Sequence, residues 1–189
     1  MSNYGLCRII DKKVILTNLM KWRKEQKEIL RNPQDLTWDD QEKYWRMILD
    51  EECKRFSNTL WMKPLTLDSE MIGWCGLTHI EWSEGRAIKA EPSFIVATQR
   101  AHNPGIYEAD LTYFLGEITK LFFNNQYWKG HKLYAEGYDI PSRQHHFAIL
   151  EKHGFKREGV LRKHTERNGI FVDSILFGML REDYEFSAV

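Results

Sequence analysis

The stretch from Glu91 to Asn125 constrains this chain most. It opens on the apolar run Phe94-Ile95-Val96-Ala97, passes through the polar turn Thr98 to Pro104, and reaches Gly105. Beyond Gly105, Leu111, Phe114, Leu115, Ile118, Leu121 and Phe122 recur at helical spacing. A buried strand therefore feeds a tight turn and then a helix whose first amides point back at that turn. The first N–H groups of a helix lack internal partners, and the helix dipole places partial positive charge there. Such an end suits a phosphate or pyrophosphate. A plain packing crossover has the same sequence pattern.

On either side, turn and cap residues divide the chain. Leu6 to Ile10 reads as a short strand, and Val14 to Leu30 as a helix with Leu16, Leu19, Met20, Arg23, Lys27 and Leu30 on one stripe. After Pro33, Thr37 caps a second helix with Asp40 three residues on, which turns Gln41, Trp45, Ile48 and Leu49 inward. Arg55–Leu67 and Glu70–Trp82 form a hairpin about Thr66 to Ser69, and Ser83 to Arg86 make a second turn. Lys132 to Tyr138 is a further strand. Ser142 caps a short helix that Gly154 stops. Phe155–Thr165 and Ile170–Leu180 pair across Asn168-Gly169, a type I′ pattern. Glu182 to Val189 reads as a tail. The order predicts an α/β fold, a mixed, mostly antiparallel sheet with helices on both faces, in a single domain over 1–189.

Composition removes several function classes. Charge balances, with 27 Lys and Arg against 27 Asp and Glu, which argues against broad nucleic-acid or anionic-membrane binding. No apolar run approaches the ~18 residues of a membrane span. Cys7, Cys53 and Cys75 show no CxxC spacing and read as reduced thiols of a cytoplasmic protein. Neither HExxH nor a Cys/His ligand spacing occurs, so no metal is expected.

The tail segment Leu150-Glu151-Lys152-His153-Gly154-Phe155-Lys156-Arg157-Glu158-Gly159-Val160-Leu161-Arg162, followed by Asn168-Gly169-Ile170-Phe171-Val172-Asp173, resembles the GNAT superfamily of acyl-CoA N-acyltransferases. It is most similar to the branch of ribosomal-protein N-terminal, spermidine and nucleotide-aminosugar acetyltransferases. Leu19 to Arg23, and Thr37 to Gln41 with Trp45, resemble a pattern of the aminosugar enzymes. The family's CoA loop falls on His102 to Tyr107, where Gly105 keeps the pattern, Tyr107 replaces a small residue and Pro104 removes an N–H.

The resemblance implies transfer of an acetyl group from acetyl-CoA, as co-substrate, to a primary amine by direct attack on the thioester. Ile95, Val96 and Ala97 would line the pantetheine, while Arg100, Gly105, Ile106 and Tyr107 would hold the pyrophosphate. Arg143 stands where the family has an Asn that contacts CoA. Glu91 is the candidate base, Tyr138 the candidate acid, and His146, beside His145, a further ionisable candidate. Trp22 and Arg23 are the candidate acceptor contacts, which makes a nucleotide-linked aminosugar the preferred acceptor. A protein N-terminus or lysine is the second acceptor class, and a non-catalytic binding module the third reading. The expected assembly is a monomer or a homodimer.

Overall fold

A computed structural model describes residues 3–6, 10–30, 34–54 and 58–187. Seven strands form one sheet in the order β1-β2-β3-β4-β5-β7-β6. They are β1 (Tyr4–Leu6), β2 (Trp61–Leu67), β3 (Glu70–Ser83), β4 (Arg86–Val96), β5 (Lys132–Tyr138), β6 (Lys156–Arg167) and β7 (Ile170–Leu180). The helices are α1 (Lys12–Glu25), α2 (Trp38–Cys53), α3 (Thr98–Ala101), α4 (Pro104–Asn124), α5 (Gln144–Lys152) and α6 (Arg181–Ser187). The mixed α/β architecture matches expectation. Cys7, Pro33, Arg55 and the last two residues lie outside the described set, as does most of the stretch predicted to continue β1. Among the described residues no helix is long and apolar enough to cross a membrane.

Local chemistry explains the element ends. Thr37 Oγ1 accepts from Asp40 N–H at 3.2 Å while Thr37 N–H donates to Asp40 Oδ2 at 2.9 Å, a reciprocal cap. Asn168 and Gly169 both sit at positive φ (51° and 78°), as the type I′ turn between β6 and β7 requires. At the end of α5, Gly154 (φ 88°) lets Phe155 N–H reach Leu150 O at 3.0 Å, which closes the helix. Ser142 does not cap α5: it lies in a 3-10 turn, Pro141–Arg143, that runs straight into the helix. The predicted tail is instead α6, held by Tyr184 stacked on Phe123 at 5.1 Å.

Two cores pack on the two faces of the sheet. On one face α4 contributes Leu111, Phe114, Leu115, Ile118 and Phe122 to the larger core, and Leu121 lies at its edge. On the other face Ile15, Leu19 and Trp22 of α1 meet Ile48 of α2 and Trp74 of β3. The α1 stripe is thus rotated from the predicted one, and α1 ends at Glu25, before Lys27. In α2, Leu49 faces solvent rather than the core.

All neighbouring strands run antiparallel except β4 and β5, which are parallel. A parallel pair needs a crossover, and α3 with α4 supplies it. One buried carboxylate fixes this crossover to the sheet's edge. Asp110, fully buried on α4, accepts two bonds from Arg100, from Nε and Nη2, each at 2.7 Å. It also accepts one from the Tyr4 hydroxyl at 2.8 Å. Replacing Asp110 with Ala strands both partners, and we expect a loss of roughly 3–5 kcal/mol, measured by urea denaturation.

Candidate active site

The parallel pairing of β4 and β5 stops after two residue pairs, Lys89 with Lys132 and Ala90 with Leu133. The cause is in the sequence. Ala97 N–H donates to Ile72 O at 2.9 Å, and alternation along this ladder turns the amides of Ile95 and Ser93 toward β3. The backbone groups of Pro92, Phe94 and Val96 therefore face β5. Proline has no N–H to give, so the ladder ends there.

Beyond Pro92 the strands diverge around a cavity of about 140 Å³. Glu91 to Ile95 line one wall, Ala135 to Tyr138 the other, and Leu111, Phe114 and Leu115 the floor. Phe94 stacks on Phe114 at 5.3 Å, which seats α4 under the gap. Val96 O accepts from Gln26 Nε2 at 2.8 Å, so the buried end of α1 clamps the last residue of β4. By the same alternation the N–H groups of Phe94 and Val96 point away from β3, and Phe94 lines the gap. Sequence reading named Ile95, Val96 and Ala97 here; alternation assigns the donor role to Phe94 and Val96, and packs Ala97 in the second core. Neither Phe94 nor Gln26 was foreseen, since strand parity needs the register of β3.

Glu91 and Tyr138, predicted from opposite walls, meet at this gap. The Glu91 side chain is only 4% exposed, and its Oε2 lies 2.9 Å from His79 Nδ1. Tyr138 packs its ring under the Arg167 guanidinium, 4.3 Å away.

A second cavity of about 190 Å³ adjoins the first through shared Ile29, Arg143 and His146, and reaches His102, Pro104 and Tyr107 at the start of α4. Arg143 thus lines both cavities. The helix start is less open than predicted. Pro104 has no N–H, Ile106 N–H donates to Asn103 Oδ1 at 3.2 Å, and Tyr107 N–H donates to Asn103 O at 2.8 Å. Of the three predicted amides, only that of Gly105 keeps its hydrogen for a ligand. Arg100, predicted to hold a phosphate, is committed to Asp110.

Tyr107 does not plug the gap. Its ring stands edge-on to Phe94 at 5.9 Å, and its hydroxyl lies 2.7 Å from His146 Nδ1. Burial holds the His146 pKa well below the usual imidazole value, with the positive charges of Arg143 and His145 adding to it. Burial likewise raises the Tyr107 pKa, against the pull of Arg143. A neutral imidazole bound at Nδ1 is a poor base near neutrality, so His146 is better suited to orienting Tyr107 than to taking a proton.

Trp22 and Arg23 are not in the gap. The indole is 4% exposed in the second core, and Arg23 lines a separate hollow with Met20, Lys24 and Asp35. A larger hollow of about 540 Å³ lies beyond β2 among Trp45, Trp61 and Trp74. Its charged groups are already paired, Glu52 with Lys63 and Lys54 with Glu51, and the gap better matches a site of convergent donors.

Across 97% of this chain and 98% of the other, the structure superposes on a spermidine N-acetyltransferase from Vibrio cholerae in complex with CoA and spermine (TM-score 0.68, 18% identity). It also matches a ribosomal-protein-S5-alanine acetyltransferase from Vibrio fischeri (TM-score 0.70, 16% identity, 97% and 94% covered). A ribosomal L7/L12 alpha-N-protein acetyltransferase in complex with coenzyme A matches at TM-score 0.71, with 16% identity and 94% and 93% covered. This is the GNAT fold. The sequence matches no protein-family model, and no curated protein matches it.

In the GNAT fold of this chain the buried His146 links folding to pH. The unfolded chain takes up a proton at this side chain near pH 6.5, the usual imidazole value, whereas the folded chain does so only at much lower pH. Stability from this group is therefore present above the unfolded value of 6.5 and declines as pH falls below it. His153, partly buried, acts in the same direction. We expect the urea midpoint to drop over that window, and His146→Phe to flatten the slope.

Proposed function

We propose that this chain is an acetyl-CoA-dependent N-acetyltransferase acting on a primary amine of a small cationic molecule. One observation carries the reading: a strand gap whose β4 wall, by the strand's alternation, turns backbone amides away from β3 and carries a buried carboxylate, Glu91. An extended pantetheine arm fits between β4 and β5 as an added strand, using the N–H groups that Pro92 leaves without a neighbour. The pyrophosphate would rest at the mouth, near Gly105 N–H, Ser142 and Arg143. Because Ile106 and Tyr107 amides are engaged, charge from Arg143 carries more of the contact than in a fully open helix start.

The chemistry follows from these parts. The acceptor ammonium gives a proton to the Glu91 carboxylate. The freed amine attacks the thioester carbonyl carbon, forming a C–N bond while the oxygen takes up negative charge. A backbone N–H of β4 stabilises that oxyanion. The C–S bond then breaks, the thiolate takes a proton from the Tyr138 hydroxyl on the opposite wall, and the surplus proton on the new amide nitrogen returns to the Tyr138 oxygen, leaving a neutral amide and the CoA thiol.

The acceptor class rests on charge. Glu91 and Glu136 line the gap, which favours a cationic amine. The grounds for a nucleotide-linked aminosugar, Trp22 and Arg23, lie elsewhere in the fold. The neighbour bound to CoA and spermine supports the same direction.

Purified protein with acetyl-CoA and spermidine is expected to release thiol, faster than with a nucleotide-linked aminosugar or an N-terminal peptide. Glu91→Gln is expected to lower kcat by about 10²–10⁴ with little change in acetyl-CoA affinity by calorimetry. Failure of acetyl-CoA to bind at millimolar concentration would refute the reading in favour of a non-catalytic module.

A further inference from the structure

The inference concerns a residue that neither the sequence reading nor the proposed chemistry uses. His79 lies on β3, outside the gap, and its side chain is 64% exposed to solvent. Its Nδ1 is nevertheless 2.9 Å from Oε2 of Glu91, a side chain only 4% exposed. One ring thus joins a buried carboxylate to bulk water.

The backbone is shaped to make this contact. On β4 the pairing advances two residues, from Glu91 to Lys89, while on β3 it advances three, from Thr78 to Glu81. The extra residue is a β-bulge, a device that re-aims side chains and recurs beside functional sites. His79 carries the strain, with φ 49°, in the left-handed region that a residue with a Cβ rarely adopts. The next residue, Ile80, returns to the core at 3% exposure and its N–H donates to Thr59 O at 3.0 Å. The bulge thus keeps Ile80 inward while it swings His79 across the strand toward Glu91. A surface histidine with no task would not need a left-handed backbone, since a regular strand also leaves it in water.

We propose that His79 is a positioning and proton-relay residue for Glu91, draining to solvent the proton taken from the acceptor amine. The inference rests on the acetyl-transfer reading above. In each turnover one N–H bond of the ammonium breaks and its proton passes to Glu91. Glu91 returns to carboxylate by giving a proton to the imidazole, and the imidazolium releases one proton to bulk water. No oxidant, reductant or further reactant enters. A buried carboxylate that stayed protonated would be spent after one turnover, and its other neighbours in the gap are Glu136, Tyr138, Arg143 and His146. Glu136 faces His164 at 3.6 Å, and beside the bulge Glu81 is paired with Lys89 at 2.9 Å. His79 is a titratable group that both touches Glu91 and stands in water.

The test compares wild type, His79→Ala, His79→Gln and Glu91→Gln in thiol release from acetyl-CoA with spermidine, an aminosugar and an N-terminal peptide, using the best acceptor. His79→Ala is expected to lower kcat about tenfold, with the KM for acetyl-CoA unchanged. The deficit should shrink as pH rises, because hydroxide takes over the proton, and added imidazole should restore rate in proportion to its concentration. His79→Gln keeps a hydrogen bond to Glu91 but moves no proton, and should stay as slow as the Ala variant. A Gln variant as fast as wild type, or an Ala variant with unchanged rate and pH profile while Glu91→Gln is inactive, overturns the relay and leaves Glu91 as base. An active Glu91→Gln variant overturns both roles, and wild type inert toward every acceptor overturns the acetyl-transfer reading itself.

Discussion

A single missing hydrogen governs the centre of this molecule. Parallel strands hold together through evenly spaced amide bonds, and β4 reaches Pro92 two residues after its last pair with β5. Without that N–H the ladder stops, the strands follow their own twist, and the donors of Phe94 and Val96 are left facing space. Buried backbone groups without partners are costly, so such a gap persists only where something else satisfies them. Gln26 does so for one carbonyl, Val96 O. The remaining donors are what a ligand with an extended amide backbone would use.

The surroundings of the gap are stiff. Asp110 holds Arg100 and Tyr4, which ties the crossover to both the turn before α4 and the first strand. Phe94 on Phe114 couples the gap wall to α4. Asn103 caps α4 with its own side chain, so the helix start is partly satisfied from within and leaves one free amide rather than a full cradle. Arg143 lines the cavity at that helix start, where the Tyr107 hydroxyl meets His146. Rigid walls and a solvent-connected carboxylate are what aminolysis of a thioester asks of a protein, since it demands alignment and proton removal more than covalent chemistry.

Much of this was legible from local rules. Helical spacing in α4, the Thr37–Asp40 cap, the Asn168-Gly169 turn and the Gly154 stop each depend on near neighbours in sequence, and each is present. Glu91 followed from the family resemblance and Tyr138 from its place at the end of its strand, and both line the gap. The errors share a cause. Arg100 reads as a free cation until the fold brings Asp110 and Tyr4 to it. Trp22 and Arg23 exchange roles because a modest rotation of α1 moves Trp22 into the core. The segment after Glu182 reads as a polar tail until Phe123 and Asn124 offer Tyr184 a seat.

His79 shows the same boundary most sharply. Nothing local marks it, since its meaning comes from a one-residue excess on β3 that exists only relative to β4. The sequence by itself determined most of the elements and their order, because those follow from backbone chemistry within a few residues, and it carries the proline whose effect shows only once β5 lies beside β4. Only the tertiary structure decided which amides face the gap, which charges are already spent on each other and which imidazole meets the buried carboxylate. Strand register and packing set those, and both arise from residues far apart in the chain.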